Sequence, residues 1–233
     1  MVFGLSGGLD SCVVAHLARE ALGKTNSIAL VLPYKITAKS DLGDANTIIE
    51  TLGIESKLID ITPMVDAYFL RAGLDDGPDT RAKRIRRGNM TARERMAILY
   101  DHAKEYNALV LGTGNKTERL LGYFTRYGDG AYDINPIGSL YKTQVRQIAR
   151  YLGAPQRVID KPPTAGLWPG QTDEGELGFL YQDVDRLLYC MVDRKLPDAG
   201  LKKMGFTKDF IKVVKSRLAK NRYKIEPAPI ALL

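Results

Sequence analysis

The string Ser6-Gly7-Gly8-Leu9-Asp10-Ser11, set directly against the apolar run Met1-Val2-Phe3-Gly4-Leu5, constrains the fold more than any other stretch of the chain. Val13, Val14, Leu17 and Ala21 follow at helical spacing. The stretch therefore reads as a buried strand, a glycine turn, and a helix that begins where the turn ends. Paired glycines let the backbone pass close to a ligand. The first N–H groups of such a helix lack partners within it, so an anion placed there meets donors and the positive end of the dipole. Ser6 and Ser11 add hydroxyls. Asp10 admits two readings: a capping residue in a tight connection, or a metal ligand, because a carboxylate repels phosphate unless a divalent cation stands between them. A Walker loop is excluded, since no lysine precedes Lys24, and glycines at 4, 7 and 8 do not make the dinucleotide pattern Gly-x-Gly-x-x-Gly.

Along the chain, short apolar runs alternate with helical patterns. Strands are expected at Ser27 to Leu32, Ser56 to Ile61 and Ala108 to Leu111. Helices are expected from about Ser40, as an N-cap, to Leu52 before Gly53, and over Thr62 to Leu70 with Pro63 in the first turn. Further helices are expected over Thr91 to Tyr106, Lys116 to Gly122, Thr143 to Leu152, Leu177 to Met191 and Thr207 to Lys220. Arg71 to Asn89 and Lys161 to Gly175 read as loops from their Gly, Asp, Arg and Pro content. This order argues for an α/β fold: a doubly wound parallel sheet with helices on both faces and C-terminal helices after it, in one domain over residues 1–233. Ligands of such sheets bind at the carboxyl edge, at the switch point. Both glycine turns, Gly7-Gly8 and Gly112-Thr113-Gly114, follow strands and belong on that edge.

Composition removes several function classes. No apolar run approaches the ~20 residues that span a bilayer. Two widely spaced cysteines, Cys12 and Cys190, make neither a zinc set nor a disulfide framework, which suits the cytoplasm. Cys12 reads as a small packed residue rather than a nucleophile. The formal charge of +7 invites a nucleic-acid partner, but the basic stretches Arg81 to Arg87 and Lys202 to Lys224 lack interleaved aromatics. An anionic small substrate accounts for the surplus as well, and no nucleic-acid or membrane partner is expected.

Glu118 stands about one turn into the helix after Gly112-Thr113-Gly114-Asn115. Asn115 and Glu118 could form a capping box; paired with Asp10, Glu118 could instead complete a Mg²⁺ site. The opening string resembles the SGGxDS signature of the N-type ATP pyrophosphatases, the PP-loop family. More narrowly, Leu32-Pro33-Tyr34, Gly88-Asn89 with Ala92-Arg93-x-Arg95-Met96, and Gly112 to Glu118 are similar to the NAD synthetase family. So are Leu121-Gly122-Tyr123-Phe124-Thr125-x-Tyr127-Gly128-Asp129-Gly130, Asp133-x-Asn135-Pro136-Ile137-Gly138, Leu140-Tyr141-Lys142-Thr143, Pro163-Thr164-Ala165-x-Leu167 and Gly170-Gln171-Thr172-Asp173-Glu174.

That resemblance implies ATP-dependent amidation of deamido-NAD by ammonia, through an acyl adenylate, giving NAD, AMP and pyrophosphate. It implies ATP contacts at Gly4, Leu5, Ser6, Gly7, Gly8, Leu9, Asp10, Ser11, Thr113, Lys142 and Thr164, with Asp10, Lys142 and Thr164 supporting the chemistry. It implies Mg²⁺ on Asp10 and Glu118, and deamido-NAD on Arg93, Arg126, Asp133, Tyr223 and Lys224. Tyr223-Lys224 stands where the family commonly has His-Lys. Tyr34 and Trp168 are expected in packing or lid roles. A homodimer is implied, and direct use of ammonia, since no glutaminase segment accompanies the match. The family usually carries one or two helices before the first strand, so the chain is expected to lack that N-terminal helix. The competing readings are GMP synthetase or a tRNA-modifying pyrophosphatase, and a regulatory module that binds nucleotide without turnover. The segments Arg81 to Arg87 and Lys161 to Glu174 are expected to order around bound substrates.

Overall fold

The computed structural model describes all residues except 75, 76, 165, 167, 169, 228, 232 and 233. Strands β1 (Val2–Gly4), β2 (Ile28–Val31), β3 (Glu55–Leu58) and β4 (Val110–Leu111) form a parallel sheet in the order β3-β2-β1-β4. Val2 sits level with Ile28 on one side and Val110 on the other. After β1 the chain moves outward through β2 and β3, then returns to place β4 on β1's free side. The switch point thus lies between β1 and β4, and the two glycine turns leave the sheet on either side of it.

Successive strand residues face opposite sides, and each side has its own helices. Phe3, Ala29, Val31 and Leu111 pack on α1 (Leu9–Leu22), α2 (Lys39–Leu52), α6 (Lys142–Tyr151) and α7 (Gln156–Asp160). Val2, Ile28, Leu30 and Val110 pack on α3 (Thr62–Arg71) and α4 (Arg81–Glu105). A third apolar cluster joins α5 (Lys116–Leu121) and α8 (Asp173–Leu177) to α9 (Tyr181–Leu188), α10 (Asp198–Lys203) and α11 (Lys208–Asn221). The expected doubly wound α/β architecture with C-terminal helices is the one observed.

Three local expectations are corrected. Helix α4 starts at Arg81, not Thr91, with Thr80 as its N-cap accepting from Lys83 N at 3.2 Å. The second half of the segment expected as a loop, from Arg81 to Asn89, is therefore helical. Its first half has no apolar stripe and is tied down by charge. Arg87 Nη1 reaches Asp66 Oδ1 (3.1 Å) and the Tyr34 hydroxyl (3.0 Å), and its guanidinium lies over the Phe69 ring. Ser40 is not the N-cap of α2: Ala38 holds that position, without a side-chain cap. The helix expected over Leu177 to Met191 starts only at Tyr181, as α9, after the short α8 (Asp173–Leu177) and a break at 178–180, and passes into a π-helical turn over Tyr189–Asp193. Cys12 is buried, and burial, then Asp44, pushes its thiol up to about 12, so it packs and does not react. Tyr34 is a packing residue, with its hydroxyl donated to Asp66 at 2.7 Å.

Candidate active site

The turn between β1 and α1 is built to hold an anion. Gly7 has φ +76°, and a Cβ there would stand 2.1 Å from the Asp41 carbonyl oxygen, so α2 backs the turn closely and only glycine fits. Ser11 Oγ donates to Gly8 O (3.1 Å) and accepts from Ser6 N (3.2 Å), which folds the turn on itself. Gly8 caps α1 with no side-chain hydrogen bond, leaving the helix's first N–H groups directed at the opening. Across the switch point, Gly112 is required because a Cβ would meet the Tyr132 ring at 2.6 Å.

Asp10, Glu118 and Lys142 converge between the two turns. Lys142 Nζ forms ion pairs with Asp10 Oδ2 and, at 3.3 Å, with Glu118 Oε1. The capping box of α5 is also present: Asn115 Oδ1 accepts from Glu118 N (3.0 Å), and Glu118 Oε2 accepts from Asn115 N (3.2 Å). The capping reading of Glu118 holds, and its other carboxylate oxygen faces Lys142. Asn115 Nδ2 further donates to Asp10 Oδ1 at 3.2 Å. Burial pushes the Glu118 carboxyl up to about 8, opposed by Lys142 and reinforced by Asp10 and Asp173. Burial alone would depress the Lys142 ammonium, but Asp10 and Glu118 outweigh it and keep the group charged.

No local pattern announces the supporting layer. Asp185, on α9, accepts from Thr117 Oγ1 (2.6 Å), Thr143 N (2.8 Å) and Thr143 Oγ1 (2.8 Å). It thereby ties the residue after Lys142 to the residue before Glu118. Lys161 pairs with Asp41 and, at 2.8 Å, with Asp44, fixing the start of the Pro162 to Gln171 segment against α2. Asp173 and Glu176 both accept from the Tyr123 hydroxyl, at 3.2 and 2.8 Å.

These groups line a cavity of about 640 Å³. Gly4, Leu5, Ser6, Gly8, Leu9, Asp10, Ser11, Thr113, Glu118, Lys142, Thr164, Trp168 and Lys224 all border it. Ala165 and Leu167 of the Thr164 motif lie outside the described residues. The remaining candidates stand elsewhere. Arg93 is exposed, with Nε donating to Arg126 O at 3.3 Å, and the Arg126 guanidinium lies 6.0 Å from the exposed Tyr223 ring. Those three share an outer surface. Asp133 is stitched to the edge of β4, accepting from Val110 N (2.8 Å) and Tyr100 Oη (3.4 Å). Lys224 points inward, but its ammonium donates to the Gly122 and Phe124 carbonyls (2.7 and 2.9 Å).

A parallel sheet with a phosphate-cradling turn and two acids at its switch point defines a nucleotide-binding α/β enzyme of the PP-loop type. The chain belongs to the NAD synthase family, whose model matches residues 1–228. It is 50% identical over 223 residues to an NH(3)-dependent NAD(+) synthetase from Trichlorobacter lovleyi, covering 96% of this chain and 79% of that one. Among solved structures, an NH3-dependent NAD synthetase from Campylobacter jejuni superposes with TM-score 0.80 at 35% identity, covering 99% of this chain and 89% of the other. An NMN synthetase from Francisella tularensis superposes with TM-score 0.85 at 36% identity, covering 100% and 89%.

Proposed function

We propose that this protein converts deamido-NAD to NAD with ATP and ammonia, the final step of NAD biosynthesis. The observation that carries the reading is the meeting of Asp10, Glu118 and Lys142 at one point beside the phosphate turn, inside a cavity lined by that turn. A carboxylate is a poor electrophile. Its oxygen attacks the α-phosphorus of ATP and expels pyrophosphate; ammonia then attacks the acyl carbon, AMP departs, and the nitrogen gives up a proton. No side-chain nucleophile is needed. The α1 amides and Ser6 and Ser11 hydroxyls hold phosphate oxygens, Lys142 supplies a compact positive charge, and Thr113 and Thr164 border the nucleotide.

Magnesium is the ion this donor set suits. Asp10 and Glu118 offer only oxygens, and both already face a cation, the Lys142 ammonium. When bound there, the metal would neutralise charge on the departing pyrophosphate. The dinucleotide contacts are assigned to Arg93, Arg126, Asp133, Tyr223 and Lys224. Arg93 and Tyr223 are exposed and Arg126 is half-buried, all three beyond the cavity lining. A homodimer, which the family likeness implies, would enclose that face with a second copy. The synthetase fills residues 1–233 as one unit, and a cytoplasmic location fits a chain in which no described helix is long and apolar enough to cross a membrane.

Pyrophosphate release is measured with ATP, deamido-NAD, ammonium and magnesium, omitting each in turn. Release that requires all four, and that fails when glutamine replaces ammonium, supports the reading. Release without deamido-NAD overturns it. The Francisella neighbour motivates one further arm, with the deamidated mononucleotide as acyl substrate: faster turnover of that compound would reassign the substrate.

A further inference from the structure

One charged side chain in the cavity wall has no part in the chemistry above. Helix α4 turns Ala92, Arg95, Met96 and Leu99 toward the cavity at helical spacing. Three of the four are apolar. The Arg95 guanidinium sits largely enclosed among them, and burial presses its proton affinity down, with Asp129 opposing. Its Nε donates to the Leu32 carbonyl at the end of β2, at 2.9 Å. Among the described residues its two terminal nitrogens make no hydrogen bond and no ion pair.

The other cations bordering the cavity are engaged. Lys142 meets Asp10 and Glu118, Lys161 meets Asp41 and Asp44, and Lys224 meets two carbonyls. Arg217 stands 6.0 Å from the Tyr123 ring centroid. Enclosing a guanidinium with idle donors is costly, and the cost is relieved when an oxyanion arrives. The fixed fork of arginine matches two oxygens of one phosphate, which a lysine cannot imitate. The Nε bond to Leu32 orients that fork before any ligand enters.

We propose that Arg95 is a nucleotide-binding residue of this site, held by Leu32 so that its terminal nitrogens grip two oxygens of a substrate phosphate. The assignment rests on the reading above only in taking nucleotides as the cavity's occupants. The phosphate can belong to ATP or to the dinucleotide, and the two are tested separately. Calorimetric binding of MgATP alone and of deamido-NAD alone is compared for wild type, R95K and R95M, with melting temperatures taken free and with each ligand. The expected result is at least a tenfold (~10-fold or more) loss of affinity for one nucleotide in both variants. KM for that nucleotide rises more than kcat falls, and the ligand-induced rise in melting temperature shrinks while the ligand-free value holds in R95K. Undiminished affinity for both nucleotides in R95K and R95M overturns the assignment. So does a fall in the ligand-free melting temperature of R95K with affinity retained, which marks a structural residue. Should wild type bind neither nucleotide, the reading of function fails first; should wild type bind and the variants match it, only Arg95 is misassigned.

Discussion

Replacing Asp185 by alanine tests whether the layer behind the site holds it together. Asp185 is 3% exposed, and its carboxylate accepts from Thr117 Oγ1, Thr143 N and Thr143 Oγ1. Thr117 Oγ1 in turn accepts from Lys142 N at 3.0 Å. Burial holds the Asp185 carboxyl above the usual range, with the Thr117 and Thr143 bonds pulling it back. Truncation strands these donors, at about 1–3 kcal/mol for each buried group left unpaired. Relief from desolvating the carboxylate, and rotation of the hydroxyls toward other acceptors, return part of that. A net loss of about 3–5 kcal/mol is expected for D185A, a large share of the roughly 5–15 kcal/mol of a typical domain. D185N keeps the shape and one acceptor and should lose about half as much. Urea unfolding followed by circular dichroism reads the difference as a shift in midpoint at constant slope. Thr117 precedes Glu118 and Thr143 follows Lys142, so loosening both by about 1 Å should also cost on the order of a hundredfold in turnover. A D185A protein within about 1 kcal/mol of wild type would refute the reasoning, since buried donors cannot be abandoned that cheaply.

The remaining predictions are local. G7A forces a side chain into φ +76° and against the Asp41 carbonyl, costing about 1–2 kcal/mol for the backbone and about 1–3 for the overlap; lowered melting temperature and lost MgATP binding should appear together. N115A removes the cap of α5 and the hydrogen bond to Asp10, so stability should fall by about 1 kcal/mol while turnover falls further than that loss explains. His16 is buried, with Nε2 unpartnered among the described residues, and burial holds its pKa below 6.5, with Glu20 opposing. The folded state binds fewer protons, so stability is fully present above 6.5 and is lost as pH falls toward the folded value. The urea midpoint should drop between about pH 7 and pH 5, and H16Q should flatten that slope.

The parts of this molecule legible in its sequence are those where local chemistry and the global fold agree. β1, the phosphate turn and α1 follow directly from residues 1–22, and the edge rule alone predicts that Asp10 and Glu118 share a side of the sheet. The start of α4 is not legible in the sequence, because Arg81 to Gly88 has no apolar stripe. What makes it helical is Asp66, Tyr34 and Phe69 receiving Arg87, and no local pattern shows that. Asp185 was equally invisible: an isolated acid on an amphipathic helix, 68 positions from Thr117. Spacing leaves the choice between cap and metal ligand at Glu118 open, since the side chain has two oxygens: one accepts from Asn115 N and the other from Lys142 Nζ. Arg93 and Arg126 enter as dinucleotide contacts through the family likeness alone, and they stand outside the cavity lining.

The ammonium lodged between Asp10 and Glu118 has a consequence for how the enzyme rests. Two acids crowded into a shielded recess would ordinarily push apart or take up a proton when no substrate is present. Here the Lys142 ammonium from α6 reaches both side chains and holds them at one point, so the recess keeps its shape. A cation held by both acids would have to displace that amine, leaving it next to the β1–α1 turn.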